Sequence, residues 1–176
     1  LVSANAGVSP WTVLAQGVGR EVGTNLGLAT LLVSACALLL WIPLKQTPGI
    51  GTVANALIVS LVIALSLGVL PQPESIQFQL AQAVAGVLLV GLGSGIYLIA
   101  NLGPGPRDGL MTGLASRIDF PIAWVRTTLE IAAVAIGWSL GGTIGLGTVL
   151  FALGIGPAVS LGLYVVGSSF AVVDAD

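Results

Sequence analysis

The sequence predicts an all-α, polytopic membrane protein built as two inverted repeats, each of three transmembrane helices plus a half-helix, with the first helix largely missing from this chain. Three observations carry that prediction. The 176 residues are 56% hydrophobic and only 7% charged, with a mean hydropathy of +1.06, whereas a soluble domain has about a quarter of its residues charged. Apolar runs close to the roughly 20 residues that a helix needs to cross the hydrocarbon recur along the chain. Sliding the sequence over itself by 96 residues superimposes two separate motifs in one ungapped register.

The elements follow in order. Leu1 to Ala6 lack the basic n-region and apolar h-region of a signal peptide. They align with the end of a long apolar run and are expected to close a spanning helix begun by roughly 20 further N-terminal residues. Pro10 to Arg20 starts with proline at the first helical position. At 1.5 Å per residue it reaches roughly 16 Å, about half a bilayer, so a re-entrant or interfacial half-helix is expected. Leu26 to Pro43 and Ile50 to Leu70 are spanning helices that complete the first repeat, residues 1–70. The second repeat, residues 71–176, reads as Ile76 to Ala100, a half-helix from Pro106 to Arg117, then Pro121 to Leu140 and Ile144 to Val173. Within the last run, Gly154-Ile155-Gly156-Pro157 predicts a kink or a discontinuity. The runs lack two-residue alternation, which argues against an outer-membrane barrel.

The register of 96 lays ANAGVSPWTVLAQG, from Ala4, on ANLGPGPRDGLMTG, from Ala100. It then lays Thr47-Pro48-Gly49-Ile50-Gly51-Thr52-Val53 on Thr143-Ile144-Gly145-Leu146-Gly147-Thr148-Val149. About a quarter of the aligned positions are identical, which points to duplication. Three crossings per repeat is an odd number, so the second copy is expected upside down, the plan of many transporters with a site near the midplane. Lys45, Arg107, Arg117 and Arg126 then fall on one side and Arg20 on the other. The positive-inside rule puts the richer side, with the C-terminus, in the cytoplasm.

Composition also excludes functions. There is no histidine, and the one cysteine, Cys36, lies in an apolar run, so a disulfide framework, a zinc site and histidine catalysis are not expected. A net charge of −2 with few bases leaves no footprint for nucleic acid. No P-loop, nucleophile elbow or dinucleotide fingerprint is present. Neither enzyme activity nor a cofactor is therefore expected.

The candidate site gathers at the breaks. Half-helix N-termini near Pro10 and Pro106 present free N–H groups and a positive dipole end, suited to an anion or a carboxylate. Asn5 and Asn101 stand before the breaks, where an amide either satisfies exposed backbone or lines a pore. Glu130 falls near the centre of a spanning run, where an ionisable group is functional by default, and Arg126 shares its helical face. Glu130 and Arg126, with Arg107 and Asp108, form either a structural intramembrane ion-pair network or a coupling site and anion clamp. Glycines four apart (Gly19, Gly23 and Gly27; Gly91 and Gly95; Gly137 and Gly141) predict close helix approaches. Trp11, Trp41, Trp124 and Trp138 are expected as interfacial anchors, and Gln77, Gln79 and Gln82 at the entrance of their run.

Four stretches resemble one family. GVSPW from Gly7, LGPGPRDGLMTGLA from Leu102, VRTTLE from Val125 and GWSLGGTIGLGTVLFALGIGP from Gly137 are similar to the YczE-like bacterial membrane proteins related to the YitT group. The resemblance implies a multi-pass protein of the bacterial inner membrane and at most a link to transport of a small metabolite. The expected function is a small-solute secondary transporter or permease; the alternatives are a passive channel or a non-transporting subunit supporting a partner complex. Expected partners are the lipid bilayer, a small molecule or ion, and a second copy or another membrane protein.

Overall fold

The computed structural model describes residues 2–4, 6–71 and 73–173, and among them lie seven α-helices and no strand. The helices are α1 (Pro10–Val22), α2 (Leu26–Leu44), α3 (Ile50–Ser66), α4 (Ile76–Ala100), α5 (Pro106–Ile118), α6 (Ile122–Ser139) and α7 (Leu146–Val173). Their boundaries have local causes. Proline at the first position sets the φ that α1 and α5 need and gives up an N–H that would lack a partner there anyway. The Asn25 side chain accepts from the Leu28 N–H at 2.9 Å and caps α2. Lys45, Asn101 and Asp119 end α2, α4 and α5 in the left-handed conformation.

Three of these helices, α2, α4 and α7, are long and apolar enough to cross a membrane. The sequence predicted five. The α3 helix stops after 17 residues at Ser66, because Leu67 to Leu70 leave it, and α6 carries Arg126 and Glu130 within its 18 residues. The α7 helix runs on through Pro157, so the expected discontinuity is absent.

The backbone keeps the 96-residue period of the sequence. Helix starts fall in pairs at Pro10 and Pro106, Leu26 and Ile122, and Ile50 and Leu146. Left-handed residues do the same: Gly7 (φ 108°) with Gly103 (φ 112°), Gly23 with Asp119, and Lys45 with Gly141. Asn101, at φ 47°, has its mate at Asn5, outside the described residues. At Gly7 and Gly103 a side chain would be strained by the dihedral alone.

The chain divides into two compact units, each drawing on both sequence halves. The first comprises Leu1–Ser9, Pro71–Leu102 and Ile144–Asp176. Its centre is α4 lying along α7, with Val87, Phe151, Ile155 and Ala158 buried together. Gly91 and Gly95 let the backbones touch, as their spacing predicted: a Cβ on Gly91 would stand 2.4 Å from the Ala158 carbonyl carbon, and one on Gly95 2.4 Å from that of Gly162. Gln79 and Gln82 donate to the Pro73 and Pro71 carbonyls at 3.0 and 3.3 Å, bracing the entry to α4.

The second unit comprises Pro10–Leu70 and Gly103–Thr143. Here α1 packs on α6, α5 packs on α2, and α3 packs on α2. Gly17 and Gly137 set the first approach, since a Cβ on Gly137 would meet the Leu14 nitrogen at 2.4 Å. The α1 end is tied down by Gln16, whose Oε1 accepts from the Thr143 N–H and hydroxyl at 3.0 and 2.7 Å, and by Arg20, which donates to the Gly141 carbonyl.

Each unit contains a threonine lock of the same design. In the second unit the buried Thr52 hydroxyl accepts from the Gly49 N–H at 3.1 Å and donates to the Pro104 carbonyl at 2.7 Å. In the first, Thr148 Oγ1 accepts from the Gly145 N–H at 3.3 Å and the Val8 N–H at 3.1 Å. The 96-residue register pairs Val8 with Pro104, and proline has no N–H to give. That difference explains why the Thr52 hydroxyl turns to donate. Thr52→Val would leave the half-buried Pro104 carbonyl without this donor and is expected to cost about 1–3 kcal/mol, whereas Thr52→Ser keeps the hydroxyl. Thermal unfolding of the two variants in detergent checks this, and equal midpoints would refute it.

Candidate functional site

Most of the predicted site residues fall in the second unit, around the half-helices. Each half-helix has 13 residues, about 20 Å of helix, well short of a bilayer crossing. Pro10 and Pro106 are buried at their first positions. The Pro106 carbonyl accepts from Trp41 Nε1 at 2.8 Å.

The charges pair locally. Arg126 Nε lies 3.1 Å from Glu130 Oε1, one turn away on α6, and the side chains are 44% and 18% exposed. Arg107 Nε lies 3.8 Å from Asp108 Oδ1, and both side chains are more than a third exposed. No ion pair joins Arg107 or Asp108 to Arg126 or Glu130 among the described residues, so the four form two pairs and no network. The cause lies in spacing: an i,i+4 partner on the same helix is within reach whatever the tertiary structure. Asn101 belongs to the other unit. It is exposed, and it serves α4 as the left-handed end residue, its N–H donating to the Leu98 carbonyl. Asn5 lies outside the described residues.

Tryptophans, which the sequence placed at the membrane interface, form the centre of this unit. Trp41 is 1% exposed and packs with Ala37 and Leu110, while Trp11, Leu38, Leu44 and Leu129 press on the same cluster. The Trp41 ring lies where a Cβ on Gly109 would be, 2.0 Å from Cζ2. Trp11 is half-buried, and its indole Nε1 is fully shielded without a hydrogen-bond partner among the described residues, a costly state for a donor. Trp124 and Trp138, by contrast, are 64% and 66% exposed. Sequence reasoning thus missed Trp41, Gly109, Thr52 and Thr148. Both threonines are visible in the repeated Thr-x-Gly-x-Gly-Thr pattern; nothing local marks Trp41 and Gly109 as partners.

A hollow of about 260 Å³ lies in the first unit, lined by Val84, Val87, Leu88, Leu150, Gly154, Pro157, Ala158 and Leu161. Its lining has no charged or hydrogen-bonding side chain, so it offers nothing to orient a polar solute.

A family of unknown function, DUF6198, matches residues 1–163. The chain belongs to that family. An uncharacterized protein of Haemophilus influenzae is 39% identical over 166 residues, covering 94% of this chain and 76% of the relative. The uncharacterized membrane protein YczE of Bacillus subtilis is 29% identical over 148 residues, covering 84% of this chain and 69% of the relative. The uncharacterized protein YyaS of the same organism is 26% identical over 153 residues, covering 85% and 76%. The YczE-like resemblance holds, and with the apolar helices it marks the chain as a membrane protein. No solved structure matches the chain.

Proposed function

We propose that this chain is the core of a small-solute secondary transporter or permease of a bacterial inner membrane, arranged as two inverted repeats with the C-terminus in the cytoplasm. It is a non-enzymatic reading that requires no cofactor. The observation supporting it most is the matched pair of half-helices α1 and α5, each opened by proline beyond a left-handed glycine and packed on α6 and α2. Irregular backbone of that kind persists at membrane depth only where protein covers it or a wet cavity borders it. Broken helices at matched places in two halves are the usual mark of a transport site.

Glu130 supplies the coupling group in this reading, because a carboxylate on an apolar helix with only Arg126 as counter-charge among the described residues is expensive unless it serves a purpose. Reconstituted in proteoliposomes, the intact protein is expected to carry solute along an imposed proton gradient. Glu130→Gln is expected to lower the coupled flux about 100-fold or more, the scale of losing a general acid–base group. Flux equal in both proteins would refute the coupling role.

One observation favours a second reading. Trp11, Trp41, Leu110 and Leu129 pack together in one apolar cluster between the half-helices and their neighbours. A non-transporting membrane subunit that supports a partner complex fits such a closed core. It would show no flux and would hold a stoichiometric partner through detergent extraction.

A further inference from the structure

In the first unit α4 covers one stripe of α7, in which Phe151, Ile155, Ala158 and Gly162 are buried. The 96-residue register carries that stripe onto Asn55, Val59, Val62 and Ser66 of α3. There it is uncovered: Val59 and Val62 are 41% and 52% exposed, and Asn55 and Ser66 are half-buried. The α3 helix meets α2 through a different stripe, Thr52, Ala56 and Ser60, with a Cβ on Gly27 standing 2.7 Å from the Ser60 carbonyl oxygen. At 3.6 residues per turn the two stripes are centred about 90° apart. The α2 contact therefore leaves the Asn55 stripe free.

Asn55 adds an independent sign. It is a carboxamide on an otherwise apolar helix face, with no hydrogen bond to another described residue. Facing lipid, that amide would meet neither donor nor acceptor, whereas amides in membrane helices pair with a neighbouring helix.

We propose that the Asn55-Val59-Val62-Ser66 face of α3 is the docking site of one further transmembrane helix of the same polypeptide, ahead of Leu1 in the intact gene product. That helix occupies on α3 the place that α4 holds on α7. It carries small residues four apart toward α3, as α4 carries Gly91 and Gly95 toward α7. The matched stretch makes up 76% and 69% of the Haemophilus and YczE relatives, so those polypeptides have residues beyond it. The proposal rests on the repeat invoked above and is independent of transport.

The test uses the intact gene product in native membranes with Cys36 changed to serine. Single cysteines are placed by Val59→Cys or Val62→Cys on the proposed face, and by Leu57→Cys or Leu61→Cys beyond it. In the chain as it stands the two sets have similar exposure, 41% and 52% against 54% and 58%. A lipid-soluble maleimide is expected to label positions 59 and 62 at least 10-fold more slowly than 57 and 61. A benzophenone amino acid at position 62 is expected to crosslink within its own polypeptide, to a peptide ahead of Leu1. Equal labelling rates overturn the proposal, as does a crosslink to a second copy or to another protein. Flux measured on the same membranes keeps the two readings apart, since protection at position 62 without flux rejects transport and leaves the docking face standing.

Discussion

Gly162→Val is expected to pry α4 from α7 and to lower the melting temperature in detergent by about 6–12 °C, the shift that about 3 kcal/mol of overpacking produces in a chain of this size. A Cβ at this position would stand 2.3 Å from the Gly91 oxygen, 2.9 Å from the Gly91 carbonyl carbon and 3.0 Å from the Leu92 Cα. All three are backbone atoms, so no rotamer change relieves the clash. The helices must move apart instead, and in lipid that is costly in a particular way. Lipid tails are as apolar as the helix faces, so no hydrophobic force holds the pair; close packing does. Gly167→Val, on the same helix with nothing within 4 Å of the new Cβ, is the control and should change stability by about 0.5 kcal/mol at most. Matching melting curves for the two variants would mean that α4 and α7 do not touch at Gly91 and Gly162.

That contact was partly legible from spacing, as Gly91 and Gly95 stand one turn apart, and so were the helix starts. Pro10 and Pro106 restrict the backbone through their own rings, and Gly7 and Gly103 through a missing Cβ, so their effects are written locally. Apolar runs located α2, α4 and α7 for the same reason. What the sequence could not supply was facing. Trp41 stands near the end of α2, as an interfacial anchor would, yet it is buried because Gly109 on α5 leaves room for its ring. Arg107, Asp108, Arg126 and Glu130 suggested a network across helices; the reach of Arg126 to Glu130 along one helix satisfied two of them without tertiary help. The threonine locks were hidden by distance, the Thr52 hydroxyl bonding 52 residues away and the Thr148 hydroxyl 140.

The Trp41–Gly109 contact yields the second large effect. Trp41→Ala removes a ring that is 1% exposed and donates to the Pro106 carbonyl at 2.8 Å, and is expected to cost about 3–5 kcal/mol, the usual range for emptying such a site. Gly109→Leu is expected to cost about 1–3 kcal/mol by overpacking, because a Cβ there would lie 2.0 Å from Cζ2 and 2.4 Å from Cη2 of a ring held by its own hydrogen bond. Combined, the two changes should cost less than their sum by at least about 1 kcal/mol, since the leucine grows into the space that the ring leaves. The other half-helix supports this expectation. By the 96-residue register Trp41 corresponds to Gly137 and Gly109 to Val13, so here the bare position is on the longer helix α6. A Cβ on Gly137 would stand 2.5 Å from the Val13 carbonyl carbon. Each contact keeps one side bare where a half-helix crosses its neighbour, against the Trp41 ring in one and against the α1 backbone in the other. Double-mutant unfolding measures the coupling directly. Strict additivity would show that ring and glycine do not share one space, and the seam between α2 and α5 would then lie elsewhere.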